Sequence, residues 1–296
     1  MRHITLAAIQ MSCSPRREEN IEKAVAFVRE AAKQGGQVIL LPELFETQYF
    51  CQERNYEYYR LATPLSENPA VRVLREEAKR LRVVLPVSFF EAAGQTNFNS
   101  VAMIDADGEI LGLYRKTHIP DDHFYQEKFY FTPGDTGFKV FDTAYGKVGC
   151  GICWDQWFPE SAREMALKGA EMLLYPTAIG SEPILGVDSA PHWRRCMQGH
   201  AAANLMPLMA ANRIGAESVY PTADNQNQSS TLTFYGSSFI ADETGAIVED
   251  GPRDQECVLL HEFDLDAIRE FRLSWGSFRD RRPEMYQTIS GKIGAE

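Results

Sequence analysis

Apolar residues follow two spacings in turn along this chain, and the alternation lays out strands and helices. Ile4 to Gln10 is a short, nearly continuous apolar run and predicts a buried strand. Glu19 to Ala32 repeats at helical spacing and places Ile21, Val25, Val28 and Ala32 on one face. Gly35-Gly36 ends that helix, and Gln37 to Leu41 predicts a compact strand stopped by Pro42. Asn68 to Leu81 predicts a second helix with Val71, Leu74 and Ala78 inward. Strands follow near Val83–Phe89, Ser100–Ile104 and Ile110–Tyr114, with a hairpin turn at Asp105-Ala106-Asp107-Gly108. Strands alternating with helices imply α/β layers.

The second half echoes the first. Gly35-Gly36-Gln37-Val38-Ile39-Leu40-Leu41-Pro42 resembles Gly169-Ala170-Glu171-Met172-Leu173-Leu174-Tyr175-Pro176, and each run follows a strand and a helix. Phe239-Ile240-Ala241-Asp242-Glu243-Thr244-Gly245 echoes Met103-Ile104-Asp105-Ala106-Asp107-Gly108. Two such halves form one domain if their sheets pack face to face. The pattern therefore predicts a single domain over residues 1–296, with an Arg-rich tail from about 274 to 296. Two long loops are expected, at Ala178–Pro191 and Gly215–Ser230, and loops of that length in a compact domain are often functional.

Composition adds little to this picture but excludes some partners. Apolar content of 44% and charged content of 24% are ordinary for a globular chain, and 296 residues suffice for a large core. Net charge of −11 argues against nucleic acid and anionic membrane as partners. No run of about 18 apolar residues suggests a membrane span, and the first residues enter a strand without a signal-peptide layout. The cytoplasm is the expected compartment. Six scattered cysteines fit thiols in a reducing environment.

Cys153 carries the most specific chemistry. It ends the apolar run Val148-Gly149-Cys150-Gly151-Ile152-Cys153, and a Pro159-Glu160 pair then opens a helical stretch. A thiol at a strand end just before a helix is placed as a nucleophile, because helix-start N–H groups favour thiolate. Glu43 and Lys116 also stand where apolar strands stop. Strand ends in α/β proteins can converge on one cleft. A carboxylate can take the thiol proton, and a lysine ammonium offsets carboxylate–thiolate repulsion and stabilises an oxyanion. Glu, Lys and Cys thus suffice for acyl transfer without histidine. Cys150-Gly151-Ile152-Cys153 also fits the C-x-x-C of redox proteins, but Cys150 is expected inside the strand, where the two thiols are badly placed for a disulfide. No spaced Cys/His set supports a metal site, and no cofactor is expected.

The three motifs resemble those of the nitrilase superfamily of carbon–nitrogen hydrolases. The resemblance places Glu43 in Leu-Pro-Glu, Lys116 in Tyr-Arg-Lys-Thr-His-Ile-Pro and Cys153 in Gly-Ile-Cys-Trp-Asp, and it runs from about Thr5 to beyond Arg282. It implies a four-layer α-β-β-α sandwich with internal pseudo-two-fold symmetry. It also implies a second glutamate after the lysine, for which Glu127 is the best match. Longer segments, among them Tyr175-Pro176-Thr177-Ala178-Ile179-Gly180-Ser181-Glu182-Pro183 and Ser274-Trp275-Gly276-Ser277-Phe278, narrow the resemblance to members that hydrolyse N-carbamoylputrescine to putrescine, ammonia and carbon dioxide. The family commonly forms dimers or larger assemblies.

Such a substrate has a ureido group at one end and an ammonium at the other. The loop after Pro176 supplies Glu182 and Asp188, with no basic residue before Arg194. Glu182, and after it Asp188, is the expected amine anchor. Tyr49, Phe124, Tyr125 and Trp154 are the expected walls, and the Trp154 N–H is an oxyanion donor. The alternative substrate is carboxylate-ended, a ureido acid or ω-amide, whose pocket would want an arginine.

Overall fold

A computed structural model describes residues 1–292 of the chain. The last four residues of the Arg-rich tail lie outside them.

The first half runs β1 (His3–Ser12), α1 (Arg17–Lys33), β2 (Val38–Leu40), α2 (Pro69–Leu81), β3 (Leu85–Ala93), β4 (Thr96–Ile104) and β5 (Ile110–Arg115). The second runs β6 (Val140–Thr143), β7 (Gly146–Cys150), α3 (Pro159–Leu167), β8 (Met172–Pro176), α4 (Ala190–Asn204) and β9 (Leu208–Ala211). It continues with β10 (Arg213–Val219), β11 (Ser230–Tyr235), β12 (Phe239–Ala241), β13 (Ile247–Asp250), β14 (Cys257–Asp264) and α5 (Leu265–Trp275).

The expected repeat is present strand for strand. One sheet has the order β6-β7-β8-β9-β12-β13. The other has β14-β1-β2, which a parallel Val38–Val84 bridge joins to β3-β4-β5. Senses match as well: β14·β1 and β6·β7 are antiparallel, and β1·β2 and β7·β8 are parallel. The two echoing turns carry the same bonds, Gly108 N–H to Asp105 O at 2.9 Å and Gly245 N–H to Asp242 O at 3.0 Å. Hairpin β10–β11 is the addition that breaks the repeat, joined to β1 at Met11–Arg213 and Ser12–Ile214.

Side chains alternate along β1 with the period of a strand. Ile4, Leu6 and Ala8 meet Val148, Cys150, Met172 and Leu174 between the sheets. Ala7, Ile9 and Met11 pack under α1 and α2. On the far side Leu173, Tyr175 and Leu208 pack under Met165 of α3 and Trp193 and Met197 of α4. This is the four-layer α-β-β-α sandwich.

Two expectations change. The strand expected at Val83–Phe89 reaches Ala93, and β4 begins at Thr96, because buried polar residues there are satisfied by partners. Ser100 donates to Glu91 at 2.5 Å, and Arg115 donates to both Glu91 oxygens at 2.7 and 2.8 Å. Apolar spacing gives no sign of such bonds. The loop expected at Gly215–Ser230 shrinks, since Gly215 to Val219 pairs with Phe234 to Ser230 in the added hairpin. No helix among the described residues is long and apolar enough to cross a membrane.

Candidate active site

Three strand ends meet as expected. Leu41-Pro42 lead from β2 to Glu43, Lys116 directly follows β5, and Gly151-Ile152 lead from β7 to Cys153. Lys116 is fully buried and donates to Glu43 Oε1 at 2.7 Å and to Glu127 Oε2 at 2.6 Å. Asn99 Nδ2 donates to the same Glu43 Oε1 at 2.7 Å. Glu43 Oε2 is buried without a hydrogen-bond partner among the described residues. One carboxylate oxygen is thus held by two donors, and the other keeps its proton-accepting capacity.

The electrostatics define the resting state. Burial pushes the Cys153 thiol well above its ordinary range, Glu43 adds to this, and Lys116 opposes it. The thiol is therefore protonated at neutral pH and needs a base to become a nucleophile. Burial works against the Lys116 charge, but Glu127 and Glu43 outweigh it and hold the ammonium well above its usual range. Burial pushes Glu127 up to about 7 against the pull of Lys116. The Tyr49 hydroxyl donates to Glu127 Oε1 at 2.7 Å.

The helix starts at Pro159–Glu160 as expected, but the thiol is separated from it by a turn. Cys153 opens a single turn, Cys153–Trp157, and α3 begins only at Pro159. Burial and Glu43 push its pKa up and Lys116 pulls it down, while the start of α3 lies six residues further on. Cys153 has φ of 40°, a left-handed conformation that is unfavourable for a residue with a side chain. Asp155 holds this turn. Its Oδ2 accepts from the Ile152 N–H at 2.9 Å and the Tyr114 hydroxyl at 2.6 Å, and its Oδ1 accepts from the His118 N–H at 3.0 Å. Tyr114 and His118 flank Lys116, so one buried carboxylate ties the thiol's turn to the lysine's strand. At Gly151 a Cβ would lie 2.8 Å from the Tyr175 ring, so this approach requires glycine.

The Glu43 loop is pinned separately. Arg213, fully buried, donates to the carbonyls of Glu43 at 2.8 Å, Leu44 at 3.0 Å and Thr47 at 3.2 Å. It pairs with Glu217 at 2.9 Å, and Glu217 Oε2 accepts the Tyr49 N–H at 2.6 Å.

The Cys153 thiol donates to the Ala178 carbonyl at 3.8 Å. From Ala178 the loop passes Gly180, whose N–H donates to the Tyr125 hydroxyl at 3.1 Å, and Ser181, whose carbonyl accepts from that hydroxyl at 3.2 Å. Glu182 follows. Burial and the nearby Asp122 carboxylate raise its pKa, and its carboxylate has no hydrogen-bond partner among the described residues. Burial, then Glu182, and more weakly Cys153 push up the Tyr125 hydroxyl.

The remaining expected residues fall in different places. Tyr49 is fully buried behind Glu127, its ring against Tyr125 and Phe234. Phe124 is half-buried at the edge of the same aromatic cluster. Trp154 is partly exposed and meets Trp157 edge to face. Asp188 is half-exposed and held by Arg253, so it is not brought to the thiol cluster. Cys150 lies fully buried between the sheets, its thiol pushed up by burial, and both it and Cys153 are free thiols. Sequence reasoning missed Asn99, Asp155, Arg213, Tyr235 and Arg253. Only the first two left a signal, as polar residues inside or just beyond apolar strands.

Residues 5–273 match the carbon-nitrogen hydrolase family. An N-carbamoylputrescine amidase of Oryza sativa subsp. japonica is 54% identical over 287 residues, 97% of this chain and 94% of that one. A citrullinase of Francisella tularensis subsp. tularensis is 51% identical over 293 residues, 99% of this chain and 100% of that one. The crystal structure of a carbon-nitrogen hydrolase from Helicobacter pylori G27 is similar, with a TM-score of 0.89 and 37% identity over 98% of this chain and 99% of that one.

Proposed function

The chain belongs to the carbon-nitrogen hydrolase family, and we propose that it hydrolyses N-carbamoylputrescine to putrescine, ammonia and carbon dioxide. One observation carries the substrate reading. The loop that accepts the thiol's hydrogen bond at Ala178 runs on to Glu182, whose carboxylate is unpaired among the described residues, with Tyr125 between them. From ureido carbon to terminal nitrogen the substrate has six bonds of about 1.5 Å, a span of roughly 7 Å. The chain from Ala178 to Glu182 can reach up to roughly 14 Å, so the loop can hold both ends of such a molecule. Asp122 beside Glu182 adds to the negative potential that suits an ammonium.

Catalysis follows from the cluster. Glu43 Oε2 takes the thiol proton, and the sulfur attacks the ureido carbon. Lys116 and the Trp154 N–H stabilise the oxyanion, which matters because urea resonance makes this carbon a poor electrophile. The amine leaves with the proton that Glu43 took from the thiol. A water activated by a glutamate then cleaves the thiocarbamoyl group, and the carbamate released breaks down to ammonia and carbon dioxide. Glu127 holds Lys116, and Tyr49 holds Glu127. Residues 1–296 act as one hydrolase domain, in the cytoplasm, as a homodimer or larger assembly.

A second reading has its own support. Arg253 lies beside Asp188 in the cleft that Glu182 lines, and the citrullinase is nearly as similar as the amidase. Ammonia release from N-carbamoylputrescine, citrulline, a ureido acid and an ω-amide, measured side by side, separates these readings. N-carbamoylputrescine is expected to have the highest kcat/KM, and preference for the ureido acid or ω-amide would overturn the amine-pocket assignment. Glu182→Gln should raise KM about 10- to 100-fold while alkylation of Cys153 is unchanged, the cost of losing one charged partner. Mass spectrometry of the quenched reaction should find the thiocarbamoyl adduct on Cys153, and its absence under conditions that trap slow deacylation would count against the covalent route.

A further inference from the structure

A cleft of about 550 Å³ is lined by the 181–189 loop, by Thr233, Phe234 and Tyr235 of β11, and by Arg253 and Asp254. It holds the Glu182 carboxylate and a second charged group. Arg253 grips Asp188 with two parallel bonds, Nη1 to Oδ2 at 2.9 Å and Nη2 to Oδ1 at 3.1 Å. The guanidinium lies 5.2 Å from the centre of the Tyr235 ring. Asp188 Oδ1 also accepts the Ala190 N–H at 3.2 Å, at the start of α4. Tyr235 connects this corner to the chemistry. Its hydroxyl meets Ser189 at 3.1 Å, and its strand holds the loop that runs on from Ala178, where the Ser181 N–H donates to the Thr233 carbonyl at 2.9 Å.

The two candidate ureido substrates differ by one group. In N-carbamoylputrescine a ureido nitrogen is followed by four carbons and an ammonium. Citrulline has the same chain with its ammonium on the same fourth carbon, and adds a carboxylate there. A site that puts the ureido carbon on Cys153 and the ammonium on Glu182 therefore puts the added carboxylate in this corner of the cleft. Two charged side chains await it. Asp188 repels it, and the arginine that would bind it is occupied. A guanidinium held through both Nη groups by one carboxylate has its end-on fork filled and its charge balanced, which leaves only its Nε side for a second carboxylate.

We propose that the Asp188–Arg253 pair selects the substrate's tail: closed on itself it disfavours a carboxylate beside the ammonium, and Arg253 released from Asp188 accepts one. This rests on the assignment of Glu182 as the amine anchor. Both partners are about half exposed, 54% and 52%, so the pair is solvated and its opening needs no repacking. Asp188 enters as a selectivity residue that never touches the favoured diamine derivative.

The test uses the whole enzyme and ammonia release from N-carbamoylputrescine and from L-citrulline. Asp188→Asn removes the charge but keeps the oxygen that caps Ala190. It should raise the citrulline to N-carbamoylputrescine ratio of kcat/KM about tenfold or more, mainly through KM for citrulline. Adding Arg253→Gln to Asp188→Asn should abolish the gain, and adding Arg253→Lys instead should keep part of it. Melting curves identify any variant that is merely unfolded, and N-carbamoylputrescine turnover serves as the internal control. A ratio unchanged within twofold in active Asp188→Asn protein overturns the proposal, as does a gain that persists without Arg253. If the wild type releases ammonia from neither compound, the substrate reading itself falls and takes the proposal with it. If the wild type is active and only the ratio fails to move, the reading stands and the proposal alone is overturned.

Discussion

Asn99 donates its side-chain amide at 2.7 Å to Oε1 of Glu43, the oxygen that Lys116 also holds. The backbone ties the same parts together, because the Lys116 N–H donates to the Asn99 carbonyl at 2.8 Å. Two donors on one oxygen fix the carboxylate's rotation and leave Oε2 for the thiol proton. Asn99→Ala should leave the Glu43 carboxyl in place but able to rotate. A small misplacement of a catalytic group can cost about 10²-fold. Turnover of Asn99→Ala should therefore fall about 10- to 100-fold, with a melting temperature that shows a folded protein. Unchanged kcat in folded protein would remove Asn99 from the positioning of Glu43.

Glu43 has two opposed effects on Cys153, and one substitution separates them. Its carboxylate adds to burial in holding the thiol pKa high, yet it is also the group placed to remove the proton. Glu43→Gln deletes a negative neighbour, so the thiol pKa must fall. Alkylation by iodoacetamide should shift to lower pH. Turnover should fall about 10²- to 10⁴-fold, the usual loss when a general base is removed. A thiol whose alkylation profile moves to higher pH instead would contradict this assignment.

Burial pushes Glu127 up to about 7, which puts its change of charge near neutral pH. Above that pH it is a carboxylate that accepts from Lys116 and Tyr49, and below it the proton weakens its hold on the ammonium. The sign follows directly. kcat/KM should rise as pH rises through about 7. The transition is read as a macroscopic value, because Glu127 is bonded to other titratable groups. Glu127→Gln should lower kcat/KM about 10²-fold and flatten that limb of the profile. A limb that survives in Glu127→Gln would assign the transition to another group.

Much of this was legible in the sequence because each legible feature was local. Apolar spacing marks β1, α1 and β2, and the echo of residues 35–42 in residues 169–176 foretells the matching strand orders. Glu43, Lys116 and Cys153 could be grouped because each follows an apolar strand. Asn99, Asp155 and Arg213 could not be grouped with them, since their meaning lies in partners distant in the chain. Asn99 meets Glu43, Asp155 meets Tyr114, and Arg213 meets Glu43. The helix opens at Pro159 as expected, but the thiol does not sit directly at its start. Pro159 fixes where α3 can begin, and the six residues from Cys153 to Phe158 are organised by Asp155 instead. Arg253 escaped because an arginine was sought before Arg194, while the cleft receives one from the loop ahead of β14.

Arg213 and Glu217 form a fully buried ion pair that holds the Glu43 loop through three carbonyls and Tyr49 through its N–H. Breaking such a pair on one side strands the other charge, which costs about 3–5 kcal/mol. Arg213→Met should lose about that much stability in urea unfolding, because Glu217 is left buried without its cation. Adding Glu217→Gln removes the stranded charge while keeping an acceptor for the Tyr49 N–H. The double variant should therefore be more stable than Arg213→Met alone. It should still turn over slowly, since the carbonyls of Glu43, Leu44 and Thr47 have lost their donor and the carboxylate is no longer held in register with Lys116. Stability restored together with full activity would show that the pair serves the fold alone. Stability restored without activity separates the positioning of Glu43 from the folding of the hairpin that carries Arg213.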